Sequence, residues 1–116
     1  MLIAYVVLAC LGAAVNLWAA ISDFRRTPAT VANATRVEVP LSWLLPLGAL
    51  KVAGAAGLLV GIAVPPIGVA AAVGLVLFFV CAVFAHLRVQ WYTTLPFPGG
   101  FLALATAALV TRSLTL

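Results

Sequence analysis

Apolar runs long enough to cross a lipid bilayer take up most of this 116-residue chain. A transmembrane helix needs about 20 predominantly apolar residues, because each residue adds about 1.5 Å across a hydrocarbon layer about 30 Å thick. The chain is 66% hydrophobic and 7% charged, whereas soluble domains are roughly half apolar and a quarter charged. The runs therefore predict an all-α integral membrane protein with no separate soluble domain.

Charged residues, prolines and glycines divide the chain into four predicted spans within one integral membrane domain, residues 1–116. The first three spans cover about residues 1–21, 41–63 and 67–87, and a shorter fourth span covers about residues 99–113. The predicted fold is a four-transmembrane-helix bundle. Each boundary follows from residues that cannot continue an apolar helix through lipid.

Two local patterns describe the connections between the spans. Thr27 is a good N-cap, Pro28 suits a first helical position, and Arg36 suits a helix C-terminus, so a short interfacial helix is predicted between the first two spans. The triplet Val64-Pro65-Pro66 is predicted to end the second span and to form a tight hairpin, because proline cannot continue a helix.

Arginine positions predict the orientation in the membrane. Cytoplasmic connections carry an excess of lysine and arginine. The connections after the first and third spans hold four arginines, Arg25, Arg26, Arg36 and Arg88. The hairpin between the second and third spans has no charged residue. Arg112 near the C-terminus argues the other way, but four cations against one predict that both termini are extracytoplasmic.

Lys51 is the one charged residue placed deep inside a predicted span, because Arg112 lies at the very end of the fourth. If Trp43 marks the interface, Lys51 lies about 12 Å deep, because eight residues separate the two at about 1.5 Å each. Asn16, seven residues before Asp23 in the first span, lies about 10 Å deep by the same measure. These depths predict a hydrogen-bonded cluster of Lys51 with Asn16, with Asp23 or Glu38 as further members.

An ionisable residue in a membrane span is a functional-site hypothesis by default. Lys51, Asn16 and His86 are therefore the predicted ligand-binding residues. Each has a structural alternative: Lys51 as a snorkelling residue that fixes helix depth, Asn16 as an interhelical hydrogen-bonding residue, and His86 as a solvated interfacial residue.

Small residues recur every four positions along the second predicted span. Ala49, Ala53, Gly57 and Gly61 form this stripe. Residues spaced by four lie on one helix face, and small side chains there let two backbones approach closely in a membrane. The stripe predicts a packing face against the third span.

Several site classes lack the residues that they need. Cys10 and Cys81 lie far apart in apolar runs, and the chain has one histidine and no acidic residue within the predicted spans. We therefore expect no catalytic residue, metal or cofactor. The net charge of +4 is not gathered on one basic face, so nucleic acid is not an expected partner.

Prolines, small residues and a few polar residues recur in a pattern from the end of the first connection to the end of the third span. The pattern consists of Val39-Pro40, Trp43 to Pro46, Gly48, Lys51, Gly54, Gly57-Leu58-Leu59, the Pro65-Pro66 pair and Ala85-His86-Leu87-Arg88. With this pattern the chain resembles the bacterial DoxX-like membrane proteins. The resemblance implies a four-helix membrane bundle in the bacterial plasma membrane. Members of the family are linked to quinone-associated oxidoreductase complexes, in which the DoxX-type chain is a small membrane subunit.

The small multidrug resistance exporters have a similar size and also four helices. Their coupling depends on a glutamate within the first helix. Here the first span holds Asn16, and both acidic residues, Asp23 and Glu38, are assigned to the first loop. The anionic group that a proton-coupled cation exporter needs is therefore missing from the predicted spans.

Two functional hypotheses follow. The leading hypothesis is an accessory or structural subunit of a membrane complex, of the quinone-linked redox type, without independent catalytic activity. The alternative is a small transporter or a lipid- or quinone-binding membrane protein that uses Lys51 and His86 toward a headgroup or a quinone carbonyl. The expected partners are the lipid bilayer and other membrane subunits or further copies of the chain.

Overall fold

The computed structural model describes all 116 residues and contains α-helices and no strands, which confirms the predicted all-α class. Three helical segments, Leu2–Arg25, Leu41–Val60 and Pro65–Arg88, are long and apolar enough to cross a membrane. A single 3₁₀ turn, Leu41–Trp43, leads into the third helix. The helices are α1 (Leu2–Arg25), α2 (Pro28–Arg36), α3 (Leu44–Val60), α4 (Pro65–Arg88) and α5 (Pro96–Ser113).

The four longer helices pack around a common apolar core. α1 contacts α3 and α5, and α4 contacts the same two helices. α2 is short and packs mainly beside the 3₁₀ turn. The fully buried core residues come from all four longer helices: Tyr5, Ala9, Leu58, Ala72, Leu75, Phe79, Ala105 and Ala108.

α1 continues beyond the predicted end of the first span. The helix runs to Arg25, and Arg26 closes it in the left-handed conformation at φ 49°. Asp23 therefore lies inside the helix, where it is only 6% exposed, and its assignment to the first loop was wrong. Polar residues end an apolar run, but they do not end a helix, and Arg25 in the last turn is favourable to the helix C-terminus.

Prolines begin helices here. α4 starts at Pro65 and α5 at Pro96, each with proline in the first turn, where the backbone N–H has no intrahelical partner in any case. The hairpin between α3 and α4 consequently occupies Gly61 to Val64, one turn before its predicted position. The short helix predicted between the first two spans is present as α2, and Thr27 Oγ1 accepts from the Thr30 N–H at 3.4 Å.

α3 and α4 touch backbone to backbone at the hairpin end. A Cβ atom added at Gly61 would lie 2.2 Å from Gly68 Cα, and one added at Gly57 would lie 2.6 Å from Ala71 Cβ. Non-bonded carbon atoms are normally separated by about 3.5 to 4.0 Å. Gly57 and Gly61 thus let the two helices cross closely, as small residues do in membrane proteins.

The other half of the small-residue stripe does not pack against a helix. Ala49 and Ala53 are exposed, in contrast to the prediction that the whole stripe faces the third span. The cause is geometric: the close crossing at Gly57 and Gly61 is confined to one end, and a gap lies between α3 and α4 beyond it.

Two polar side chains form hydrogen bonds to backbone carbonyls at the hairpin end of the fold. The Tyr5 hydroxyl donates to the Leu58 carbonyl at 2.7 Å. Arg112, 5% exposed, donates through Nε to the Gly61 carbonyl at 3.0 Å. Carbonyls at a helix C-terminus have no intrahelical donor, so Arg112 satisfies one of them. Arg112 is a buried structural residue rather than a charge in a terminal tail.

Candidate functional site

A cleft of about 960 Å³ lies between α3 and α4. It begins at the close crossing near Gly57 and Ala71 and extends toward α2. Of its 28 lining residues, 18 are hydrophobic. A mostly apolar cavity of this size, with a few polar groups at one end, is typical of a site for a small organic ligand.

α2 covers the polar end of the cleft. Ala34 on this helix and Val37 at its C-cap are buried, and both line the cleft together with Thr30 and Asn33. The N-cap at Thr27 fixes where the helix begins. α2 therefore presents apolar and hydrogen-bonding side chains to the same cavity.

Lys51 forms an ion pair across the cleft wall. Its ammonium nitrogen Nζ donates to Asp23 Oδ2 at 2.7 Å, and the two side chains are 14% and 8% exposed. The ammonium also lies 5.5 Å from the centroid of the Phe78 ring, a cation–π distance. An ammonium has three N–H donors, so Lys51 can hold Asp23 and still donate to a second molecule.

Asn16 does not join Lys51. Its amide nitrogen donates to the Gly12 carbonyl on the same helix at 2.8 Å, and its Oδ1 is buried without a partner. The predicted hydrogen-bonded cluster of Lys51 with Asn16 is therefore not formed. Asp23, a candidate member of that cluster, is the actual partner, because charge-assisted hydrogen bonds are about twice as strong as neutral ones.

His86 lines the cleft but uses both ring nitrogens within the protein. Nδ1 lies 2.9 Å from the Ala82 carbonyl oxygen, within hydrogen-bond distance. Nε2 lies 2.9 Å from Thr94 Oγ1, which in turn donates to Asn33 Oδ1 at 2.5 Å. This chain of hydrogen bonds ties α4 to α2 and leaves the Asn33 amide nitrogen without a protein partner.

Two arginines hold α2 against the end of α4. Arg88 Nη2 donates to the Val37 carbonyl at 2.8 Å, and the Arg36 guanidinium lies 4.3 Å from the Trp91 ring centroid. In the sequence, Arg88 indicated only the orientation of the chain, and Arg36 indicated the orientation and the end of the short interfacial helix. Their contacts also hold the helix that covers the cleft.

Asn33 and Thr94 were not among the predicted site residues, and Asp23 was predicted to lie in a loop. For Asp23 a signal existed, because Asn16, Ala20 and Asp23 are spaced by four and three residues and so share one helix face. No such signal exists for Thr94, which lies in an irregular connection and reaches Asn33 across 61 residues of sequence.

These features define a small membrane protein with apolar helices and a cleft that ends in a buried ion pair. A sequence model of the DoxX-like family matches residues 7–108, nearly the whole chain, and the chain belongs to this family. The resemblance inferred from the sequence is confirmed. Comparison with curated proteins and with solved structures found no match.

Proposed function

We propose that the protein binds one amphipathic molecule, a membrane lipid or a lipid-tailed quinone, in the cleft between α3 and α4. The observation that carries this proposal is the polarity gradient of the cleft. Its length along α3 and α4 is apolar, whereas the end under α2 holds Lys51, Asp23 and Asn33. This gradient favours the ligand-binding alternative over a purely structural subunit.

The apolar tail of the ligand would reach the cleft from the bilayer. Leu50 and Leu77 line the cleft and are 56% and 62% exposed. In a membrane such residues face hydrocarbon, so the cleft opens sideways into lipid. A tail can enter there without crossing water, and small residues such as Ala53 and Gly74 leave it room.

The polar head of the ligand would meet free donors beside the ion pair, and Glu38 is an unpaired acceptor in the same lining. Lys51 retains N–H donors beyond the one given to Asp23, and the Asn33 amide nitrogen is free. Carbonyl or ester oxygens accept from such groups. His86 positions Asn33 through Thr94, so its role in binding is indirect.

The first prediction is that the purified protein retains one such molecule per chain. In Ala53→Leu the added side chain projects into the cleft, and we expect the retained molecule to fall at least about tenfold. Ala56→Leu is the matched control, because Ala56 is exposed on the same helix but does not line the cleft. Native mass spectrometry after extraction in mild detergent measures the bound fraction.

Equal retention in both variants would rule out the cleft as the site. A stoichiometric protein partner without a small molecule would instead support the accessory-subunit function that the DoxX-like resemblance implies. The small multidrug resistance exporters need an anionic group within a span. Asp23 lies in α1, but its carboxylate is already paired with Lys51, so its position does not support an exporter function.

We also propose that α5 crosses the membrane as a fourth span, in the bacterial plasma membrane. α5 has 18 residues, about 27 Å at 1.5 Å per residue, close to the thickness of the hydrocarbon core. With four spans, both termini lie on the same side of the membrane. This agrees with the fold, because Arg112 near the C-terminus contacts Tyr5 near the N-terminus.

The second prediction is that α2 is cytoplasmic and the α3–α4 hairpin is extracytoplasmic, because the arginines gather beside α2. In a background with Cys10 and Cys81 replaced by Ala, an impermeant thiol reagent applied to intact cells should label Ala63→Cys and leave Ala29→Cys unlabelled. The reverse pattern would invert the topology. Labelling of Ala29→Cys after cell lysis is the control for reactivity.

A further inference from the structure

A second, smaller cavity of about 300 Å³ lies on the other side of the Lys51–Asp23 ion pair. It is separate from the α3–α4 cleft, but the two cavities share a wall of side chains. Asp23, Lys51, Phe78 and His86 line both, as do Thr30 and Asn33 of α2. The smaller cavity extends from this wall toward α1 and the start of α5.

Aromatic rings surround the smaller cavity. Several of them contact one another edge to face: the Phe79 ring centroid lies 4.9 Å from that of Phe78 and 5.3 Å from that of Phe101. Aromatic rings attract other rings in edge-to-face or offset-stacked contacts, so side chains arranged in this way favour a planar ring as ligand. The five rings in the wall are Trp18, Phe78, Phe79, Phe97 and Phe101.

The charges in the wall cancel. The acidic group is Asp23 and the basic group Lys51, and the two are paired at 2.7 Å. A ligand with a net charge would have to separate this pair, which is costly where water is scarce. The smaller cavity therefore suits an uncharged ligand.

Most hydrogen-bonding groups of the smaller cavity are already used. Ser22 donates to the Trp18 carbonyl at 3.1 Å, and Thr27 and Thr30 bond each other at 2.8 Å. The donors left over are the Asn33 amide nitrogen and the remaining N–H groups of Lys51. The complementary group on a ligand is an acceptor, and a carbonyl is the simplest neutral one.

We propose that the smaller cavity is a binding site for an uncharged aromatic ring that carries a carbonyl group. The carbonyl accepts from Asn33 and Lys51, and the ring lies among the aromatic side chains. Such a ring could belong to a free small molecule or to the head of the molecule bound in the cleft. This site is distinct from the apolar cleft and makes Lys51 a contact shared by two cavities.

Two tryptophans allow each cavity to be followed separately. Trp18 lines the smaller cavity and Trp43 lines the cleft. A variant with Trp43→Phe and Trp91→Phe retains Trp18 alone, and a variant with Trp18→Phe and Trp91→Phe retains Trp43 alone. The probe is benzamide, a neutral aromatic carbonyl compound, and ethylbenzene is the matched ring without the carbonyl.

We expect benzamide to change the emission of the Trp18 variant in a saturable manner and that of the Trp43 variant only linearly. Asn33→Asp in the Trp18 variant keeps the oxygen that accepts from Thr94 and removes the amide donor, so affinity should fall about tenfold. Ala29→Leu should abolish the saturable signal, because exposed Ala29 lines only the smaller cavity. Ala53→Leu, which fills the cleft, should leave it unchanged.

A linear response in the Trp18 variant, or equal saturation by ethylbenzene, would overturn the proposal. Circular dichroism and gel filtration verify that each variant is folded, and the Trp18 variant without further substitutions provides the decisive titration.

N-dodecylbenzamide, the same ring with an alkyl tail, separates the two sources of the ring. Saturable changes at both tryptophans assign the ring to the head of the cleft ligand, and a change at Trp18 alone assigns it to a separate molecule. The Trp18 titration can fail while the cleft retains its lipid, so the two proposals are tested independently.

Discussion

Gly61→Ala should lower the free energy of unfolding by at least about 3 kcal/mol, the upper range for overpacking a well-packed interior. The new Cβ would lie 2.2 Å from Gly68 Cα and 2.6 Å from Tyr5 Oη. Backbone atoms cannot move aside as a flexible side chain can. α3 and α4 would have to separate, and the hydrogen bond from Tyr5 to the Leu58 carbonyl would be lost with them.

Gly74→Ala is the matched control, because a Cβ at Gly74 on α4 meets no atom within 4 Å. Replacing a helical glycine by alanine is ordinarily stabilising by about 0.5 to 1 kcal/mol. Unfolding by sodium dodecyl sulfate in mixed micelles, followed by circular dichroism, compares the two variants. Equal midpoints for Gly61→Ala and the wild type would contradict the close crossing of α3 and α4.

Asp23→Asn and Lys51→Met should each destabilise the fold by about 3 kcal/mol, because removing one partner of a buried ion pair leaves the other charge buried and uncompensated. The double variant should cost much less than the sum, since no isolated charge remains. The same unfolding measurement completes this double-mutant cycle. Additive losses from the two single variants would show that the pair is not energetically coupled.

The double variant also separates stability from binding. It should fold, yet lack the Lys51 donors, so native mass spectrometry should show less retained ligand than in the wild type. Glu38→Gln is the control for the effect of charge removal on stability, because Glu38 is exposed and forms no ion pair; it is no control for ligand retention, since Glu38 also lines the cleft. Its stability should change by less than about 0.5 kcal/mol, as is usual for surface substitutions.

Local chemistry made the helices predictable. The apolar runs located three long helices, and the Thr27-Pro28 pair located α2, because hydropathy and capping act over a few neighbouring residues. The fourth helix was placed from the same kind of pattern, beginning at Pro96 rather than near residue 99. The extent of α1 was misjudged because the polar residues after Ile21 signal the end of an apolar run and not the end of a helix.

The site depended on geometry that no local pattern encodes. The stripe of small residues on α3 looks uniform in sequence, but only Gly57 and Gly61 meet α4, and the cleft lies beside exposed Ala53. Whether a small residue faces a helix or a cavity is decided by the angle between the helices. The sequence indicated only a topology role for Arg112, because its partners, the carbonyls at the end of α3, are about 50 residues away in sequence.

The central claim is that a lipid-like molecule occupies the α3–α4 cleft with its polar end at Lys51. An experimental structure of the protein in lipid nanodiscs tests it most directly. We expect elongated density from Gly57 toward α2, with a polar atom within about 3.2 Å of Lys51 Nζ. Closure of α3 onto α4 along the whole cleft, or a tail end rather than a polar atom beside Lys51, would contradict the account.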